Sequence, residues 1–307
     1  MFDMIAIGEL LADFIGTELN QNLEFSQKYV RYQGGSPSNL AANMARLGAK
    51  TAIVSCVGNE NLGSYLIKKV ADTGVHTQFI QKINHLPSSI VLVSRTEGTP
   101  DFIAYRQADA YILPKHIPTE VIKQTQILHT TCFALSIEPA KSTIVNAFKE
   151  AHKLGVATSI DLNYAPEIWS NTGDAHLIIN EICGNGAFVK VSQDDFYRLF
   201  NVKDAAPERV IDYFLKKGAN IVCYTKGKLG SWVASQNQPE PIHAQAQELS
   251  IMGDATGAGD AYWAAFLTAH LKKYELVHCA AIGSKMAKLK LETVGLLPDK
   301  IDFETLI

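Results

Sequence analysis

The stretch GDATGAGDAYWAAF, Gly253 to Phe266, sets the small residues Gly257, Ala258 and Gly259 between Asp254 and Asp260, then runs directly into an apolar helical pattern. Small residues leave backbone N–H groups unshielded at the start of a helix. The positive end of the helix dipole adds to those donors, and together they form a site for an anion. A carboxylate is expected at a helix N-terminus for capping reasons alone, so Asp260 by itself decides nothing. Side by side, however, bare donors and a carboxylate supply the two parts that phosphoryl transfer needs. The donors stabilise charge on the moving phosphoryl group, and the acid takes the proton from the attacking hydroxyl. Ala261, Ala264, Ala265 and Ala269 make the helix narrow enough to pack tightly against a sheet.

A second stretch, QGGSPSNLAANMARLG (33–48), also leads into a helix. Ser36 is a good N-cap, and Pro37 fits the first turn, where its missing N–H costs nothing. Leu40, Met44 and Leu47 line one helical face and Gly48 closes the helix. The pair Gly34-Gly35 lets the backbone approach something closely just before the helix, and Asn39 sits one turn in, at the same end. Taken alone, this is a tight turn before a core helix. Two familiar phosphate-binding patterns are absent. No Gly-Lys-Ser/Thr closes a glycine-rich loop, and the first strand is followed by LLADFIG rather than a glycine-rich dinucleotide turn.

The elements around these stretches alternate. MIAIGE (4–9) and TAIVSCVG (51–58) read as buried strands, and LGSYLIKKVADTG has helical spacing ending at Gly74. QILHTTCF, STIVNAFKEAHKLG, VATSIDLN, AFVKVS, FYRLF and ANIVCYTKG continue the series. Such repetition predicts an α/β fold, a mostly parallel sheet with helices on both faces. Residues 14–33 and about 77–107 break the rhythm with apparent strands FIGTEL, FSQKYVRY, TQFIQKI, SIVLVSR and DFIAYRQ. These predict a small antiparallel sheet placed as a lid on one domain spanning 1–307.

With 307 residues, 47% of them apolar, the chain can bury a sizeable core, and its net charge of −3 comes without basic patches. That balance argues against nucleic-acid or membrane-surface partners. Phe2 to Gly8 lacks the basic start and cleavage site of a signal peptide, and no apolar run reaches membrane-spanning length. Cys56, Cys132, Cys183, Cys223 and Cys279 are scattered without metal-ligand spacing. They read as buried thiols of a cytoplasmic protein.

Over essentially its whole length the chain resembles the ribokinase-like (pfkB) family of carbohydrate kinases. The family's D-T-x-G-A-G-D signature stands as Asp254 to Asp260, and its Gly-Gly followed by a helix with an early Asn stands as Gly34, Gly35 and Asn39. The resemblance implies a three-layer ribokinase-like sandwich with a mostly parallel central sheet and a small β-sheet lid. It makes Asp260 the general base and Gly257, Ala258 and Gly259 the anion hole. Asp13, Gly34, Gly35 and Asn39 fall on the sugar side. Thr225, Gly227 and Gly230 in TKGKLG match a Thr-x-Gly-x-x-Gly segment along the nucleotide. Lys190 to Asp195 aligns with K-P-N-x-x-E, Ser192 replacing Asn and Asp195 replacing Glu, so magnesium is expected near Asp195, through an added water. ATP is the expected donor, a monovalent cation such as K+ stays open as an activator, and the lid strands are a candidate homodimer surface.

Within the family the fructokinase-like branch fits best. GELLADFIG resembles G-E-x-L-x-D-F, GGSPSN resembles G-G-A-P-x-N, and DFIAYRQADAYIL resembles F-x-x-Y-R-x-x-A-D-x-x-L, which places Tyr105 and Arg106 near the sugar. SIDLNYAPEIW keeps Asp161, Asn163 and Trp169 of D-x-N-x-R-x-x-x-W but has Ala165 for Arg. A bound carboxylate calls for a charged donor, so this loss favours a neutral ketohexose such as fructose over 2-keto-3-deoxygluconate. Arg106 is then the remaining cation in these motifs. The helix expected to border the adenine echoes relatives only partly, in Ala280, Gly283 and Gly295. His129, Cys132, Trp232 and Trp263 read as packing, and His76, His85, His116 and His152 have no matching partners. The changes at Ser192, Asp195 and Ala165 keep a second class open, a non-catalytic sugar or nucleotide binder.

Overall fold

Alternate side chains of the first strand enter different cores: Met4 and Ala6 join one, Ile5 and Ile7 the other, all fully buried. Burial on both faces is what a central parallel strand with helices on either side requires. The structure is a computed structural model that describes residues 1–96, 101–250, 256–293 and 297–307. Asp254, Ala255 and Gly295, singled out above, lie outside the described residues.

The strands in chain order begin β1 (Phe2–Ile7), β2 (Leu11–Leu19), β3 (Tyr29–Gly34), β4 (Thr51–Gly58), β5 (Ile80–Ile83), β6 (Ile90–Arg95) and β7 (Phe102–Tyr105). They continue with β8 (Thr125–Thr131), β9 (Ala157–Asp161), β10 (Phe188–Ser192), β11 (Ile221–Thr225), β12 (Ser231–Ser235) and β13 (Gln238–Ala244). The helices are α1 (Ser36–Arg46), α2 (Asn61–Ala71), α3 (Thr119–Ile122), α4 (Ala140–Lys153) and α5 (Thr172–Gly184). After them come α6 (Gln193–Phe200), α7 (Pro207–Lys216), α8 (Ala258–Leu271) and α9 (Leu276–Glu292).

Nine strands form the large sheet in the order β13-β12-β11-β10-β9-β8-β1-β4-β5. Every pairing from β11 to β5 is parallel, while β12 and β13 add antiparallel at one edge. The chain leaves β1 first toward β4 and later returns on its other side at β8. Strand order therefore reverses at β1, the place where open α/β sheets leave a crevice at their carboxyl ends. Leu40 and Met44 of α1, Leu66 and Val70 of α2, and nearly all of α8 fill one face. Ile144 and Phe148 of α4, Ile182 of α5 and Phe214 of α7 fill the other.

Helix α8 is buried all round, which its alanines permit, and it packs against α1 and α9. At Gly283 of α9 an added Cβ would come within 3.0 Å of the Tyr262 carbonyl oxygen, so close approach of the two helices is what this glycine supplies. Trp263 donates through Nε1 to Ser159 Oγ at 2.9 Å, beside His129, which is fully buried.

The small sheet has the order β3-β2-β6-β7. It departs from expectation twice. TQFIQKI does not join it: β5 runs parallel to β4 at the edge of the large sheet. The pairing of β2 with β6 is parallel, so the small sheet is mixed rather than wholly antiparallel. The second follows from connection length. The chain between β2 and β6 passes through α1, β4, α2 and β5, a crossover long enough to bring β6 back in the same direction. Among the described residues no helix is long and apolar enough to cross a membrane.

Candidate active site

A cleft of about 860 Å³ opens at the carboxyl ends of the parallel strands, beneath the small sheet. At one end Glu9, Asp13, Ser36, Asn39 and Asp260 converge, with Leu11, Val91 and Phe133 as apolar wall. At the other stand Ser192, Arg198, Thr225, Lys226, Gly227 and Lys228. Asp161 and Lys190 lie between them.

Asp260 occupies the first turn of α8 and is almost wholly buried. The residue before that helix, Gly257, has φ 78°, a left-handed conformation that glycine takes without strain, and among the described residues no side chain caps the helix. Gly259 lets Lys190 come close: a Cβ there would lie 3.1 Å from Nζ. Lys190 in turn pairs with Asp161 at 2.7 and 2.9 Å in a buried ion pair. Burial opposes the lysine's charge, but Asp161, Asp195 and Asp260 outweigh it and hold the ammonium above its ordinary value. Burial pushes Asp161 up to about 6, against the pull of Lys190. The pair therefore stays charged at neutral pH and sets a cation beneath the open helix mouth.

Two donors reach Asp260 from α1. Ser36 Oγ donates to Oδ1 at 2.5 Å and Asn39 Nδ2 to Oδ2 at 3.0 Å. Burial raises the Asp260 carboxyl, while these two bonds and Lys190 pull it back. Ser36 is not the N-cap its position suggested. Gly35, at φ 102°, takes that place, and the N–H of Ser36 is accepted by Glu9 Oε1 at 3.2 Å. Thr131 holds the same carboxyl group through its hydroxyl, at 3.1 and 3.2 Å. Burial lifts Glu9 to about 8, with Arg106 opposing.

The glycine pair is explained by close approach. A Cβ on Gly34 would sit 2.0 Å from Asp13 Oδ2, and one on Gly35 would sit 2.4 Å from the Glu9 carbonyl oxygen. Asp13 is pushed up to about 7, first by burial and then by the charge of Asp260. Three acidic groups thus share one end of the cleft, each carboxyl raised first of all by burial.

Two expected residues are not brought there. Pairing in the small sheet sets Asp13 across from Val91 and Val91 across from Ala104, whereas Tyr105 pairs with Ile90, so alternation puts Tyr105 on the other face, exposed. Arg106 turns inward. Its Nε and Nη2 bind Asp109 at 2.8 and 2.5 Å, and Nη1 reaches the Phe133 carbonyl and Ser136 Oγ. These four bonds use four of the five guanidinium N–H groups and leave one on Nη2, so the side chain is held by the protein rather than offered as a forked ligand clamp.

Ser192 caps α6 in a reciprocal box with Asp195. Asp195 Oδ2 accepts from Ser192 N and Oγ at 2.9 and 2.6 Å, and Oδ1 from Tyr164 N at 2.7 Å. Oδ2 has both lone pairs engaged while Oδ1 keeps one, an arrangement that suits magnesium held through a bound water. Among the described residues no group of three or more His, Cys, Asp or Glu is set to hold a metal. Thr225 and Gly227 line the cleft, while Gly230, at φ 89°, packs under the Ala244 carbonyl as a turn residue. Glu9, Arg198, Lys226 and Lys228 are cleft residues without a role assigned from sequence. For Glu9 a signal exists, an acid directly after an apolar buried strand. The three cations carry none, since surface lysines and arginines look the same wherever they point.

A family model described as pfkB family carbohydrate kinase matches residues 1–301. The ATP-dependent 6-phosphofructokinase of Thermoanaerobacterium thermosaccharolyticum is 33% identical over 305 residues, 99% of this chain and 92% of that protein. The 5-dehydro-2-deoxygluconokinase of Listeria innocua is 28% identical over 271 residues, 87% of this chain and 82% of that protein. Among solved structures, Halothermothrix orenii fructokinase gives a TM-score of 0.80 at 31% identity, covering 96% of this chain and 100% of that one.

Proposed function

The chain belongs to the pfkB family of carbohydrate kinases, and on that premise we propose that it transfers the γ-phosphoryl group of ATP to the terminal hydroxymethyl of a ketohexose, with fructose as substrate. Asp260 takes the proton from the attacking hydroxyl. The N–H groups after Gly257, with Lys190 beneath them, carry the charge that develops on the phosphoryl group. Asp13 and Asn39 hold sugar hydroxyls, and Thr225 and Gly227 border the nucleotide. Lys226, Lys228 and Arg198 form the cationic end that phosphates prefer. Magnesium bound with the nucleotide phosphates would offset their charge, and Asp195, engaged in capping, would meet it through water. Turnover that survives EDTA would count against this.

One observation carries the choice of a neutral sugar. The sugar end of the cleft offers carboxyl groups and amide donors, and the cation assigned to it, Arg106, gives four of its five N–H groups to Asp109, Phe133 and Ser136. A second reading, a phosphorylated or acid sugar, draws on the identity with the phosphofructokinase and the dehydrodeoxygluconokinase. ADP release with MgATP across fructose, fructose 6-phosphate, 2-keto-3-deoxygluconate, 5-dehydro-2-deoxygluconate and ribose separates them. Turnover led by fructose supports the neutral pocket. Turnover led by an anionic sugar overturns it and points to movement of Arg106 or to a cation from the far end.

In the same reading the small sheet closes over the sugar as a lid. Two copies meet through its exposed apolar residues, among them Val30, Tyr32 and Ile103. A monomeric mass by light scattering would end that. The five cysteines are free and buried, which suits the cytoplasmic setting we assign.

A further inference from the structure

We propose that Ser36 is a positioning residue for Asp260: with Gly35 in the N-cap place, the Ser36 hydroxyl is not spent on capping and holds the base in its ionised form. A serine at the start of a helix ordinarily spends its hydroxyl on a free N–H of the first turn. Here no side chain within the helix caps α1, and the Ser36 N–H goes instead to Glu9 Oε1 at 3.2 Å. The freed hydroxyl lies 2.5 Å from Asp260 Oδ1, in a buried position.

The chemistry follows from charge. Burial disfavours the carboxylate, and a hydroxyl that donates to it favours the charged form. The other groups facing Asp260 pull in both directions. Lys190 from β10 supports ionisation, and Lys290 of α9 reaches the same helix mouth at Gly257. Asp13 from β2 and Asp161 from β9 oppose it, and Glu9 stands behind Ser36. A carboxylate has about four lone-pair sites. Ser36 and Asn39 take one each, which leaves room for the sugar hydroxyl.

The inference rests on Asp260 acting as the base, and the test separates the two. The pH dependence of kcat/KM is measured by ADP release with MgATP and the sugar turned over fastest, for wild type, Ser36→Ala and Ser36→Thr. The acid-limb midpoint is expected to rise by about one pH unit in Ser36→Ala, a tenfold change in the ionisation ratio, and to return in Ser36→Thr. A midpoint does not depend on how much of the variant folds. An unchanged or lowered midpoint, even with a uniform drop in kcat/KM, would make Ser36 merely structural and overturn the proposal. Asp260→Asn runs alongside. Its collapse keeps the base reading whatever Ser36 does, whereas retained turnover removes that reading and the role of Ser36 with it.

Discussion

Two helix N-termini face the same cleft, and they are finished in opposite ways. The mouth of α1 is closed by protein: Glu9 accepts the Ser36 N–H, and Gly35 is pressed against the Glu9 carbonyl. Among the described residues, the mouth of α8 has a left-handed glycine, no side-chain cap and a lysine beneath it. Both carry the same dipole. What differs is whether the chain itself satisfies the terminal donors. A closed mouth fixes side chains in place, which is how α1 can aim Ser36 and Asn39 at Asp260. An open mouth leaves its donors for something that arrives.

The largest break in this comparison is at the base. Asp260→Asn is expected to lower kcat by about 10²–10⁴-fold, with sugar binding by calorimetry largely kept, because the amide cannot take the proton. Next comes one substitution made at both mouths. Gly35→Ala forces a methyl group to within 2.4 Å of a backbone oxygen at a φ that side chains rarely adopt. A stability loss of about 3 kcal/mol or more should appear as a lowered Tm. Gly257→Ala meets nothing nearer than 3.8 Å. It should cost only about 1–3 kcal/mol of strain, while kcat falls roughly tenfold to a hundredfold through displaced donors. Equal Tm losses with equal rates would erase the distinction between the mouths.

The smallest effect concerns the cap of α1. The carboxyl of Glu9 is raised from 4.5 to about 8 on folding, so the unfolded chain releases its proton first. The stability this group provides is complete below about pH 4.5 and is lost as pH climbs through 8. Glu9→Gln keeps an acceptor for Ser36 and has no such loss. It should melt like wild type near pH 5 and a few degrees higher near pH 9. Identical melting at both would mean that Glu9 is already ionised in the native state.

What could be read in the sequence was what local chemistry fixes. The Gly-Ala-Gly run, Asp260, the glycine pair and the parallel strands depend on neighbours a few residues away or on a period of two or 3.6. What could not be read depends on partners distant in the chain. TQFIQKI is strand-like in either sheet, and only packing decides that it joins β4. Ser36 looks like a cap because serines there usually are, but Gly35 holds that place and Glu9, on another strand's end, takes the Ser36 N–H. Arg106 reads as a ligand cation until Asp109, Phe133 and Ser136 are seen to surround it. The capping role of Asp195, which the N–H groups of Ser192 and Tyr164 reveal, is likewise set by a residue distant in the chain.

The antiparallel edge of the large sheet bears on solution behaviour. Strand β13 carries Pro239 and Pro241, opposite the point where its register with β12 shifts, between Val233 and Ser235. Prolines at alternate positions remove two N–H donors from one side of a strand, and a bulge twists what remains out of line. A further strand, whether from another copy or from a partly unfolded chain, finds no regular ladder to extend. This end of the sheet is a built-in stop against amyloid-like growth, set where nine strands would otherwise offer a long template.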